Sequence, residues 1–426
     1  VRTILFYSFL FLCTSSIIGQ EQKNLEYFIN QAKEHLPSVK EIENLKRIGE
    51  LQYEVIKAQN NAFQVNATTD VLVAPYFNND GKFIDITTNP SNNAYGYDVG
   101  ITNGGLYSAQ VNITKSLFNK KLLDGLLLQS KLTNEGVLLS SEAIVHTLIK
   151  NITDTYILAY QQQLKIEFAD EILAVLRQRL DVVAVLVKNG ILSSSDYLLL
   201  KLDLDTKNIE LQQYSTAFNT TIIQLYSLCG ITAEKTESLL PPILDYKENP
   251  KTFFYLKKYR NDSLQLKSDE QVLLNRYKPN LSFYGNTGVN AVELSHINHK
   301  IGASVGLHLD IPIYDGNRRK YMLDQYKLKK ENLERYKKND AVKLNNDLKA
   351  LHNQVDALQN QMILLNKQLD QYAHIQEIYK EKFVQGQVSI VDYLNVIQNY
   401  KSNMYTKLQA QTNLWLLKSQ FNYTNW

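Results

Sequence analysis

From Ile301 onward the chain alternates apolar and polar or small side chains: Ile301, Ala303, Val305, Leu307 and Leu309 fall between Gly302, Ser304, Gly306, His308 and Asp310. A period of two sends the two sets to opposite faces of a strand. The same alternation runs through Tyr107, Ala109, Val111 and Ile113, and earlier through Val65, Ala67, Thr69 and Val71. Leu281 and Phe283 open a fourth run, and stretches rich in Asn and Gly, such as Phe77 to Gly81 and Asn286 to Gly288, separate the partners. The pattern predicts four strands, at about 63–74, 106–114, 280–289 and 301–313, each with one apolar face.

Downstream of each strand pair the period lengthens. Leu344, Leu348, Leu351, Val355, Leu358, Met362, Leu365, Leu369 and Tyr372 are spaced alternately by four and three, the seam of a coiled coil. No proline interrupts residues 91–240 or 313–426. A helix over about 119–188 would be on the order of 100 Å long at 1.5 Å per residue. A globular domain cannot hold such a rod, so it must lie along other long helices. Gly190 and Gly386 stand where the chain would reverse, a place that favours glycine's left-handed conformation. Two antiparallel helical hairpins follow, about 119–230 and 317–426.

The two halves match each other. Gly190, Asp196, Tyr197 and Leu198 recur as Gly386, Asp392, Tyr393 and Leu394, an offset of 196 residues. At the same offset Ser116-Leu117-Phe118-Asn119 falls on Pro312-Ile313-Tyr314-Asp315, and the coiled-coil seam falls on mostly apolar or small positions, among them Leu148, Ile152 and Leu173. Two landmarks sharing one offset point to an internal duplication. The first repeat spans 21–230, a linker with Pro241, Pro242 and Pro250 spans 231–250, and the second repeat spans 251–426.

The first twenty residues change the picture. Arg2, an apolar run from Ile4 to Leu12, and small or polar residues up to Gly19 have the shape of a secretory signal peptide, too short to span a bilayer. Cleavage is expected near Gly19 or Gln20. Cys13 raises lipidation as an alternative, although the bulky Leu12 before it does not suit a lipoprotein site. No later stretch offers about 18 consecutive apolar residues, so a membrane span would have to be made of strands.

Composition excludes more than it assigns. With 46 Lys and Arg against 43 Asp and Glu, the net charge of +3 leaves no footprint for nucleic-acid binding. Glycine and proline are scarce, at 17 and 8, as long helices require. Of 2 cysteines only Cys229 lies beyond the leader, so neither an intrachain disulfide nor a cysteine metal site is expected in the mature chain.

The strands alone suit a half-buried soluble sheet or a barrel with lipid outside and water inside. The leader, and helices too long to cover a sheet, favour the barrel. Four strands cannot close one, and an open edge cannot stand in lipid. Three copies would supply twelve strands, within the range of outer-membrane barrels.

The chain resembles the TolC-like outer-membrane efflux proteins. The resemblance rests on the tip Gly386, Ser389, Asp392, Tyr393 and Leu394 with its counterpart from Gly190, and on the passages Tyr277-Lys-Pro279-Asn-Leu281 and Ile311-Pro-Ile-Tyr-Asp-Gly316. It implies an α+β membrane protein. Long helical hairpins would form an α-barrel in the periplasm, and four transmembrane strands per chain would contribute to a trimeric, twelve-stranded β-barrel in the outer membrane. It further implies passive export of substrates delivered by an inner-membrane transporter through a periplasmic adaptor, without a cofactor. The family's tips touch the adaptor, which would place Gly190, Ser193, Gly386 and Ser389 at that contact. Acids just after the second tip narrow the family's entrance; Asp392 matches the first such position and Asn395 replaces the next. Asp392 would equally suit a helix cap.

Other signals are weaker. His296 and His299 read as polar loop residues rather than a metal pair. The Lys-rich run from Lys327 to Lys338 alternates with Glu331 and Glu334 and reads as a solvated helix face. No constellation of nucleophile, base and phosphate-cradling loop suggests an enzyme. The rival to a channel is a secreted or periplasmic coiled-coil scaffold whose strands form a small soluble sheet.

Overall fold

A computed structural model describes residues 23–87, 89–97, 107–233, 238–247, 253–292 and 294–426. The expected signal peptide, with Cys13, lies outside the described residues. Two helices, α1 (Leu25–His35) and α2 (Pro37–Asn61), precede the first strand, β1 (Gln64–Val71). A short ribbon, β2 (Tyr76–Asn79) and β3 (Lys82–Asp85), leads on to β4 (Tyr107–Leu117) and to the first long hairpin, α3 (Lys120–Lys188) and α4 (Ser194–Leu228). The second half repeats this order without the ribbon: α5 (Phe254–Arg276), β5 (Asn280–Ala291), β6 (Ile301–Asp310), α6 (Arg318–Val384) and α7 (Ile390–Thr424).

The strand ends differ from the sequence expectation in ways that physics explains. Strand β6 stops at Asp310 rather than near residue 313, because Pro312 has no N–H for the ladder and restricts Ile311 before it. Strand β4 runs on to Leu117, since β5 offers partners down to Leu281. Helices α1, α2 and α5 and the ribbon are not among the elements expected from the sequence. Helix α2 does carry an apolar stripe, Val39, Ile42, Leu45, Ile48, Leu51 and Val55 at intervals of three and four, although none of its residues is buried in the protomer.

The chain divides into two compact units, each drawing on both halves of the sequence: 1–40, 143–251 and 343–426 form one, 41–142 and 252–342 the other.

The second of these holds the sheet, antiparallel throughout and ordered β1-β4-β5-β6. Its register aligns Asn66, Asn112, Asn286 and Ser304 in one cross-strand row, and Val65, Ile113, Gly285 and Val305 in the next. The two rows face opposite ways. Among the described residues neither face is covered. On the apolar side Ile301 is 71%, Val305 78% and Leu307 64% exposed. Strands β1 and β6 each keep one edge unpaired among the described residues. Beside the sheet, α5 is tied to α3, where Asn261 Nδ2 donates to the Leu132 carbonyl at 3.2 Å, and to α6, where the Tyr259 hydroxyl donates to Asp340 at 2.6 Å.

The other unit is mostly helix among the described residues and carries most of the hydrophobic core. Phe28 of α1 is fully buried between the rings of Tyr156 and Tyr226, 5.9 and 5.5 Å away. Around it pack Ile152, Ala159, Phe218, Ile222 and Leu225. The seam of α6 faces inward, with Val355, Leu365 and Leu369 buried, as the heptad spacing requires.

Candidate channel wall and hairpin tips

Both hairpin tips are built the same way. Gly190 has φ +72° and Gly386 φ +71°, the left-handed region where a side chain is disfavoured. Gly190 N–H donates to the Val187 carbonyl at 3.0 Å and Ile191 N–H to that of Leu186 at 2.9 Å. The second tip repeats both bonds, from Gly386 to Phe383 and from Gln387 to Lys382, at 3.0 and 2.9 Å. This pair of bonds is the Schellman closure that satisfies the last carbonyls of a helix.

The returning helices start on matching caps. Ser193 caps α4 in a capping box with Asp196, and Ser389 caps α7 by accepting the Asp392 N–H at 3.1 Å. The Ser389 hydroxyl donates to the Asp392 carboxylate at 2.7 Å. Asp392 is thus a helix-start residue in the protomer, with its side chain exposed, and Asn395 is exposed one turn further along α7. The structure brings Ser389 and Asp392 into direct contact. Behind the tips, Tyr393 is fully buried and stacks on Phe383 at 5.4 Å, and Arg179 Nε of α3 donates to its hydroxyl at 3.2 Å. Gly190 and Gly386 both have open space where a side chain would stand.

The strand-to-helix passage explains the motif around Tyr277 and Asp315. The Tyr277 hydroxyl bonds the Asp315 carboxylate, which also accepts the Arg319 N–H at 2.7 Å. The first of these bonds, helped by the second, holds the carboxyl below the usual carboxylate range. The first repeat makes the passage differently: Asn119 Nδ2 donates to the Asn60 carbonyl at 2.6 Å.

A buried ionic group joins α4 to α7. Lys207 and Lys401 are 5% and 6% exposed, and their ammonium groups lie 2.9 and 3.0 Å from Glu210 Oε1, with Asp203 3.9 Å from Lys207. Burial pushes the Glu210 carboxyl up, but the bonds from Lys207 and Lys401 outweigh it and hold the group below its ordinary value. A polar cleft of about 580 Å³ opens beside it, lined by Tyr214, Gln361, Tyr405 and Gln409 among others. Sequence reasoning missed this group. Lys207 and Glu210 are three apart on one helix and could have been paired, but nothing local announces Lys401.

Also unread in the sequence is the stack of His146 between Tyr423 and Trp426, with ring centroids 4.8 and 3.9 Å away. Burial and the nearby Lys247 lower the His146 pKa, although its bond to the Tyr423 carbonyl pulls the other way. Cys229 is buried with its thiol on the Phe28 carbonyl at 3.3 Å, and burial raises its pKa to about 12, far from a reactive thiolate. His296 and His299 lie in a short 3-10 turn, Leu294–His299. Among the described residues no group of three or more His, Cys, Asp or Glu could hold a metal ion. No helix there is long and apolar enough to cross a membrane.

A four-stranded sheet with a bare apolar face, joined to two long Schellman-tipped hairpins, defines the protomer fold of outer-membrane channels. VceC of Vibrio cholerae shares it at 13% identity and a TM-score of 0.72 over 94% of this chain and 95% of VceC. CusC does so at 12% and 0.75, over 94% and 91%. The CmeC outer membrane channel of Campylobacter jejuni matches at 13% and 0.72, over 95% and 86%. No curated protein sequence matches the chain. Residues 271–415 match the family described as outer membrane efflux protein. Over that stretch, about a third of its length, the chain is similar to the outer membrane efflux proteins, and it shares the fold of these channels over nearly the whole chain. The coiled-coil scaffold is thereby set aside.

Proposed function

We propose that three copies of this chain close a twelve-stranded barrel, the β1 edge of each pairing with the β6 edge of the next. The apolar face meets lipid and the polar face lines a water-filled lumen. The observation that carries this reading is the sheet itself: bare on both faces and open at both edges. In lipid every backbone N–H and carbonyl must find a partner, so open edges have to be closed by other copies. An exposed row containing Val305 and Ile301 is tolerable only against hydrocarbon.

Transport through such a duct is passive. An inner-membrane transporter supplies the energy and a periplasmic adaptor hands over the cargo. The adaptor docks on the tips at Gly190, Ser193, Gly386 and Ser389, whose twofold-repeated geometry offers two similar footholds per chain. Near the second tip, three copies would bring three Asp392 carboxylates toward one axis, with Asn395 beside them, narrowing the entrance until the adaptor spreads the helices.

The test is the mass of the detergent-extracted protein together with its conductance in a planar bilayer. A species of three chains that conducts steadily supports the duct, and a higher conductance in Asp392→Ala supports the constriction. A monomer or dimer that never inserts would sink the barrel.

A further inference from the structure

Three lysines gather where α3, α4 and α7 meet, and they outnumber the acids that answer them. Lys207 and Lys401 are almost fully buried, yet both turn to one carboxylate. Glu210 Oε1 lies 2.9 Å from Lys207 Nζ and 3.0 Å from Lys401 Nζ, and Glu210 Oε2 lies 2.9 Å from Lys401 Nζ. The two ammonium groups therefore stand within about 6 Å of each other, close enough for like charges to oppose one another. Each ammonium carries three N–H donors, more than Glu210 can accept. Asp203, 3.9 Å from Lys207, is beyond hydrogen-bond distance. The remaining donors meet no protein acceptor among the described residues. The third lysine, Lys165 of α3, is half-buried with its ammonium 5.6 Å from the Tyr214 ring, and it meets no carboxylate there. Burial lowers its pKa, and no acid opposes the shift. Between these charges stand two rings: Tyr214 and Tyr405 are 6.0 Å apart, and Lys401 lies 5.5 Å from Tyr405. Both rings, with Glu210, Lys401, Gln361 and Gln409, line the cleft of about 580 Å³. That volume is typical of a small-molecule site.

We infer that this cleft binds a small organic anion, whose carboxylate or phosphate head takes the donors that Glu210 leaves free on Lys207 and Lys401 and whose body rests beside Tyr214 and Tyr405. Every residue of the site belongs to one protomer, so the inference goes beyond the barrel proposed above and does not depend on it. The physical reason is the charge balance. Three ammonium groups face Glu210 and the more distant Asp203, and a surplus positive charge in a low-dielectric interior is costly until an anion answers it. Lysine ammonium groups and anionic oxygens also make hydrogen bonds stronger than neutral ones. Glu210 competes with the ligand for the same donors, so it weakens the site and lets the anion leave. A bound anion would tie α4 more firmly to α7, which links occupancy to the stability of the helical unit.

The test is equilibrium dialysis of the detergent-solubilised full chain against radiolabelled inorganic phosphate, at neutral pH and fixed ionic strength. Saturable uptake of one phosphate per chain is expected. Benzoate should displace it at lower concentration than acetate, because only benzoate has a ring to lay beside the tyrosines. Lys401→Gln leaves Lys207 and Glu210 as a one-to-one pair, so the fold is not endangered, and phosphate binding should weaken about tenfold or more. Lys165→Gln, at a half-buried position, should weaken it about threefold and serves should Lys401→Gln fail to fold. Glu210→Gln has the opposite sign: it removes the competitor and should tighten binding about tenfold, with phosphate restoring part of the melting temperature that the variant loses. Absence of saturable uptake by the unaltered chain overturns the inference, including the case in which a second copy covers the cleft. Uptake that persists undiminished in both lysine variants overturns it as well, since the anion would then sit elsewhere. Equal displacement by acetate and benzoate overturns the organic ligand and the part given to Tyr214 and Tyr405.

Discussion

At the residue scale the most consequential group is Glu210, which answers two buried ammonium groups at once. Removing one partner of a buried ion pair leaves the other charge stranded, at a cost on the order of 3 kcal/mol. Glu210→Gln is therefore expected to lower the melting temperature of the detergent-solubilised protein by several degrees, whereas the exposed pair Arg47–Glu50 should be worth little on truncation. The pH dependence has a definite sign. Glu210 is held below its ordinary carboxylate value in the folded chain, so its contribution is complete above the unfolded pKa and is lost as pH falls through the folded one. The variant should lose that part of the acid limb in a melting series from pH 7 to pH 3. An unchanged limb would mean that Glu210 does not hold the two lysines in the folded chain. The neighbouring tips teach a different lesson. The recurrence of the tip motif was visible in the sequence because its Gly and Asp act on neighbours within a few positions, the Gly on the helix it closes and the Asp on the Ser three residues before it. Lys401 lies 191 residues from Glu210, and no local rule reaches that far.

At the scale of elements, the long helices were legible from their seam and from the absence of proline, and the strands from their alternation. Both are periodic signals that a buried or lipid-facing stripe imposes on the sequence. The ribbon β2–β3, with four residues to a strand, is too short to impose one. The tips permit a clean comparison. Gly386 has open space around it but a positive φ, so Gly386→Ala is expected to lose about 1 kcal/mol to backbone strain alone. Gly302 also has open space, with no positive φ, and Gly302→Ala should cost much less. Denaturant titration of the two variants measures the difference; equal losses would show that the left-handed turn is not what the tip requires.

For the whole molecule, the direction of the sheet decides the function. Val305 and Ser304 are adjacent on β6 and point to opposite faces. In the proposed barrel Val305→Lys would place a charge on the lipid face, at an expected cost of about 2–4 kcal/mol near mid-membrane. Ser304→Lys would place it in the proposed lumen, where water takes it. The first variant should fail to yield a detergent-resistant oligomer from the outer membrane fraction and the second should yield one; the opposite result would invert the wall.

The sequence by itself determined the local geometry. Alternation, heptad spacing and turn glycines each act within a few residues, and they specified four two-faced strands, two long hairpins and the Gly-and-Ser construction of the tips. Only the tertiary structure decided the order β1-β4-β5-β6, the rows that collect amides on one face, and the Lys207–Glu210–Lys401 group. Those features join residues far apart in the chain, and their energies come from packing and desolvation that exist only once the elements have met.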